Sequence, residues 1–293
     1  GTKVPGGTEY LYTMYTQPFP ASGHPGVLVF VPDSFNASHR PWHFVVWLHG
    51  HYNCITTVAG EFNEPCTPGG AARTAFNLTL QFGSFEPNAI LLVPELAYDE
   101  GSSDPGQFGN PLGFRNFMEE LLTEAFLGAV IGAGTLQDVG VMLAFEHSGG
   151  YWALNKMATV GGVPQLRKLV LFDGLYGFLD SYQKAIIDAN LGTGQYDAVP
   201  PCNAFKYGNI YTDYGGTYSN SVNQGNNTVA FAEYMTLDKA ILFDNTYSTL
   251  SEAQYEAPII IKRSSLSHDG VPLYYFSYFV TQYFSACSLL LTP

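Results

Sequence analysis

Residues 141–154 read "VMLAFEHSGGYWAL", an apolar run that ends in Glu146-His147-Ser148-Gly149-Gly150 and passes into "YWALNKMAT". A short, continuous apolar run closed by small residues predicts a strand buried on both faces, and the segment after it predicts a helix ended by Gly161 and Gly162. A serine at such a strand-to-helix turn is lifted off the sheet toward anything bound there, and glycines beside it tolerate the tight, closely packed backbone. Two roles fit Ser148 locally: a nucleophile on that turn, or a hydroxyl capping the helix. The pattern G-x-S-x-G is broken here, because Glu146 stands where its first glycine belongs.

The rest of the 293 residues repeats this alternation. Strands are predicted in "EYLYTMYT" (9–16), "GVLVFVP" (26–32), "HFVVWLHGH" (43–51), "NAILLVPEL" (88–96), "LRKLVLFDG" (166–174), "KYGNIYTDYGG" (206–216) and "APIIIKRSS" (257–265). Helices are predicted in "GFRNFMEELLTEAFLGAVIGA" (113–133), "FLDSYQKAIIDANL" (178–191) and "VPLYYFSYFVTQYFSAC" (271–287). Strands alternating with helices imply an α/β fold with a mostly parallel, helix-covered sheet, whose function gathers at the carboxyl ends of the strands. No repeat or linker divides the chain, so residues 1–293 are read as one domain. The segment 191–234, rich in small polar residues, is the candidate lid or cap.

Composition narrows the function. Asp and Glu number 25 against 12 Lys and Arg, and the net charge of -13 disfavours nucleic acid and anionic lipid as partners. No apolar run reaches the ~18 residues of a membrane span. Charged residues are only 13%, about half the usual share, while 20 Tyr and 21 Phe suit a polar-aromatic binding surface. The start, "GTKVPGG", carries neither methionine nor signal peptide and leaves export undecided. The cysteines favour it: four, without CxxC spacing, are read as disulfides Cys54–Cys66 and Cys202–Cys287, and a secreted chain is expected. Sequons at Asn36, Asn77 and Asn226 are compatible with glycosylation.

Chemistry-bearing residues follow the strands. After "FVVWL" comes His49-Gly50-His51-Tyr52, where the amide of His51 or Tyr52, with that of Gly149, is placed to stabilise an oxyanion. His49 and His51 form no metal site by spacing, as no third ligand accompanies them. His268, between the last strand and last helix, is the histidine placed to act as base for a serine. Three aspartates end apolar runs after Ser148. Asp173 ranks first because "LVLF" is the most apolar run and a buried carboxylate needs a partner; Asp213 and Asp244 follow.

Taken in order, "LHGH", "EHSGGY", "LFDGLYG" and "SLSHDGV" resemble the α/β-hydrolase superfamily, with triad order Ser, Asp, His. Within it, "HSGGY" followed by "LFDGLYG" is similar to a poorly described group of bacterial hydrolases. The resemblance implies a serine hydrolase that cleaves a small or polymeric carboxylic ester through an acyl-enzyme, without cofactor or metal. An amidase or peptidase with the same triad, and a non-catalytic binding protein of this fold, are the alternatives.

Overall fold

The computed structural model describes the chain except residues 21–24, 86–87, 187–204, 214–215, 235–240, 256 and 289–293. Ten strands form one sheet: β1 (Thr2–Val4), β2 (Gly7–Tyr12), β3 (Val27–Pro32), β4 (Trp42–Leu48), β7 (Ala89–Pro94), β8 (Val139–His147), β9 (Leu166–Phe172), β10 (Lys206–Tyr211), β11 (Ile241–Asp244) and β12 (Ile259–Arg263). Two further strands among the described residues, β5 (Glu64–Pro65) and β6 (Ala72–Arg73), make a separate small hairpin. The order across the sheet is β1-β2-β3-β7-β4-β8-β9-β10-β12-β11. The first three strands join antiparallel, and every pairing from β7 to β11 is parallel. All carboxyl ends of that parallel part therefore share one edge.

Alternation along the strands builds two cores. Val46, Leu48, Met142, Ala144, Leu169 and Leu171 face the helices Gly113–Leu121, Tyr151–Thr159 and Leu179–Ile186. Val45, Trp47, Leu143, Phe145, Val170 and Phe172 face Ile55–Ala59, Leu78–Gly83 and the long helix Gly270–Ser288. Burial on both faces explains why these strands read as unbroken apolar runs.

One expectation needs correction. The helix expected over 113–133 is two helices, Gly113–Leu121 and Gly128–Ile131. The chain folds back between them, with the Leu127 amide donating to the Leu121 carbonyl (3.0 Å), and Leu121, Leu122 and Leu127 are all fully buried by that turn. The candidate lid 191–234 contains sheet structure: Lys206–Tyr211 is β10, and Tyr218–Tyr234 is a helix packed on it. Residues 191–204 of that segment lie outside the described residues, as does the Cys202–Cys287 pairing. The helix Tyr218–Tyr234 hid from hydropathy because its inward face is polar. Ser221, Gln224 and Thr228 are fully buried, and Asn209 of β10 donates to Ser221 (3.1 Å) and Gln224 (2.9 Å).

The expected Cys54–Cys66 disulfide is present and closes the segment that leads to the β5–β6 hairpin. Among the described residues no helix is long and apolar enough to cross a membrane. A loop of this size constrains the unfolded chain by about 3 kcal/mol. The double variant C54S/C66S is expected to lose close to that amount in urea unfolding; an unchanged midpoint would show that the hairpin holds without the bond.

Candidate active site

Ser148 follows β8 directly and adopts φ 54°, a left-handed conformation that an L-residue enters at a cost of roughly 1–2 kcal/mol. The helix Tyr151–Thr159 starts three residues later. Both glycines of the turn are required by close approach. A methyl group on Gly150 would lie 2.6 Å from the Leu48 carbonyl, and one on Gly149 would overlap the His51 ring. The preceding loop is as tight: a methyl group on Gly50 would lie 2.8 Å from Ser148 Cβ.

Opposite stands His268 paired with Asp173, the first-ranked of the three aspartates. His268 Nδ1 lies 2.7 Å from Asp173 Oδ2, and Asp173 is fully buried at the tip of β9 with φ 50°. Its two oxygens also accept from the Thr212 amide (3.0 Å), the Thr212 hydroxyl (2.6 Å) and the Thr217 hydroxyl. Burial raises the carboxyl, but the bonds from His268, Thr212 and Thr217 outweigh it and hold Asp173 below the usual carboxylate range. With the His268 Nδ1–H donating to Asp173, Nε2 of the neutral ring carries the free lone pair.

The other two aspartates are engaged elsewhere. Asp213 pairs with Arg263 (2.7 Å) and accepts from Tyr247, which lower its carboxyl. Asp244 pairs with the buried Lys262 (3.1 Å) and accepts from Ser248 (2.6 Å) and Thr246 (2.6 Å). Burial alone would raise Asp244; these bonds outweigh it and lower it.

Ser148, His147, His268 and Asp269 line one cleft of about 300 Å³ together with Gly50, His51, Tyr52, Asn53, Ala72, Arg73 and Thr74. The Tyr52 amide corrects one expectation: it donates to the Glu100 carbonyl (2.9 Å), which leaves the His51 and Gly149 amides as the candidate oxyanion donors. His51 Nε2 lies 2.7 Å from the Ser103 hydroxyl, while burial, reinforced by His49, lowers the His51 imidazole. His49 is buried, with Nδ1 against the Gly50 carbonyl (2.9 Å) and Nε2 accepting from the Leu96 amide (3.0 Å). These two histidines brace the loop rather than share a ligand.

Several contributors had no signal in the chain. Thr212 and Thr217 complete the shell of Asp173, and Tyr176 places its phenol on the Ser148 side chain. Burial, with the Asp173 charge next, pushes that phenol up to about 12, so it remains a donor.

Glu146 is accounted for in part. It is fully buried, neither carboxylate oxygen has a hydrogen-bond partner among the described residues, and its room comes from Gly174, where a methyl group would overlap the carboxylate. The glycine missing before the serine is thus supplied from the end of the next strand. Burial, with the Asp173 charge added, pushes the Glu146 carboxyl well above its ordinary value.

No family profile and no curated protein sequence matches the chain. Solved structures match its shape. A serine-to-alanine mutant of the feruloyl esterase module from Clostridium thermocellum, complexed with sinapinate, aligns with a TM-score of 0.53 at 11% identity, over 97% of this chain and 89% of that one. A structure of FAE aligns with a TM-score of 0.53 at 12% identity, over 97% and 89%. The chain has the α/β-hydrolase fold. At this identity the likeness is one of fold. Ser148 stands at the strand-to-helix turn after β8, and the loop after β4 lines the same cleft.

Two outcomes follow from the relocated glycine. G174A overpacks against Glu146 and is expected to cost about 1–3 kcal/mol, and adding E146G recovers most of that loss; equal instability of single and double variants would refute the steric link. The sign of the Glu146 titration gives the second. Above the ordinary value of 4.5, the unfolded chain has released this proton while the folded chain keeps it. Stability therefore falls as pH rises from 4.5 toward the raised folded value, at up to about 1.4 kcal/mol per pH unit. E146Q abolishes that slope, which urea midpoints measured across the range will show.

Proposed function

We propose that the protein is a secreted carboxylic-ester hydrolase that works through an acyl-enzyme. The observation that carries the reading is the 2.7 Å contact between His268 Nδ1 and buried Asp173, made on the cleft that Ser148 also lines. The Ser148 hydroxyl attacks the ester carbonyl carbon as its proton passes to His268 Nε2. Electron density moves to the carbonyl oxygen, which the amides of Gly149 and His51 receive. The tetrahedral intermediate expels the alcohol, protonated by His268, and leaves an acyl group on Ser148. Water, deprotonated by His268, then attacks the acyl carbon and releases the acid with the serine restored. Asp173 holds the ring's tautomer and offsets its positive charge throughout.

An aromatic strip supports an ester with an aromatic or sugar-bearing group. From Tyr176 on Ser148 it runs to Tyr151 (5.9 Å), Phe178 (5.9 Å from Tyr151) and Trp152 (6.0 Å from Phe178), and Tyr176, Phe178 and Trp152 are each more than a third exposed. The feruloyl esterase module that shares the fold is compatible with such a substrate. Export is supported by the Cys54–Cys66 bond, which persists in oxidising compartments. Of the sequon asparagines, Asn36 and Asn226 are exposed, whereas Asn77 buries its Oδ1.

The test uses p-nitrophenyl esters beside aminoanilides, with fluorophosphonate labelling of the folded protein. S148A is expected to lose both labelling and ester turnover, by more than about five orders of magnitude in kcat, while keeping its circular dichroism. D173N should fall by roughly four orders, and D213N and D244N should stay within about threefold of the parent. Wild-type protein that neither labels nor turns over any ester would instead be a binding protein, and preferred cleavage of anilides would make it an amidase.

A further inference from the structure

We propose that the cleft holds a site for a divalent first-row transition metal such as Zn²⁺, formed by His147, His268 and Asp269, and that its occupation switches the hydrolase off. One ligand atom from each of these residues lies within 4.8 Å of the other two. His147 Nε2 stands 3.8 Å from Asp269 Oδ1 and 3.3 Å from the His268 carbonyl, and the two imidazole rings are 4.4 Å apart. Two imidazole nitrogens and one carboxylate are the donor set of an open zinc site, and small rotations bring donors at this spacing to the ~2.0–2.2 Å bond lengths such a site needs.

The arrangement is supported from behind. Asp173 fixes the His268 ring through Nδ1, the second contact that metal-bound histidines typically make. Thr74 donates to Asp269 Oδ2 (2.6 Å), which orients the carboxylate and leaves Oδ1 toward His147. Access is open: the Asp269 side chain is 47% exposed and that of His268 is 28% exposed, both on the cleft. The net charge of -13 draws cations toward the surface. On binding, the His147 ring proton moves from Nε2 to Nδ1, so both imidazoles bind as neutral ligands and no redox change or co-reactant is involved.

Inhibition follows from a shared lone pair. The Nε2 pair of His268 cannot both bind metal and accept the Ser148 proton, so this part rests on His268 being the base. Asp269 touches no reacting atom in the proposed mechanism, so the Zn²⁺ response of D269N is read against its own metal-free turnover.

The experiment is calorimetric titration of chelator-free wild-type, S148A and D269N protein with Zn²⁺ alone, beside ester turnover at each Zn²⁺ concentration. The expected result is one Zn²⁺ per chain for wild type and S148A, and a Kd more than about tenfold weaker for D269N. Wild-type turnover falls with occupancy and returns on adding a chelator, and D269N needs more than about tenfold more Zn²⁺ for half-inhibition. Absence of binding to the wild type, or equal affinity in D269N, overturns the site. Stoichiometric binding with turnover undiminished overturns the switch and leaves the site standing. The S148A titration tests the site whether or not Ser148 proves to be the nucleophile.

Discussion

A single buried carboxylate organises the working edge of this protein. Asp173 is fully withdrawn from water at the end of β9, a position that would cost several kcal/mol if its charge were unmatched. It is matched by four hydrogen bonds, from Thr212 at the end of β10, Thr217 before the helix Tyr218–Tyr234, and His268 after β12. Those bonds tie three strand ends together and aim the imidazole at the cleft. The geometry of the site is thus a by-product of satisfying one charge.

The turn at Ser148 shows how a packing requirement can move along the chain. A strand-to-helix turn this tight needs bare backbone where it meets its neighbours, and Gly149 and Gly150 provide that against His51 and Leu48. The volume normally freed by a glycine two residues before the serine is occupied by Glu146 and freed instead by Gly174. A motif search tests identity at fixed positions, whereas packing tests only whether a volume is empty, so the two can disagree without the turn failing.

The α/β architecture was legible because the strands are buried on both faces, and unbroken apolar runs such as "FVVWL" and "LVLF" announce that directly. Asp173 was legible for a related reason: a carboxylate closing the most apolar run demands a partner. The helix Tyr218–Tyr234 was not, because it packs against β10 through Ser221, Gln224 and Asn209 rather than through apolar side chains. The break between Leu121 and Gly128 was missed because leucines on both sides of it are buried, so the apolar pattern continues through a reversal. Tyr52 was a reasonable oxyanion donor by position alone; a carbonyl from Glu100, distant in sequence, occupies its amide.

Local pattern by itself determined the element types, the parallel sheet, and a serine, an aspartate and a histidine at strand ends, since burial and turn chemistry are written in neighbouring residues. Tertiary structure alone decided where Glu146 finds its room, which threonines share Asp173 with His268, and which residues gather beside Ser148. Those outcomes depend on contacts between strand ends tens of residues apart, such as Asp173 with His268 and Glu146 with Gly174. Hydropathy along the chain carries no record of them.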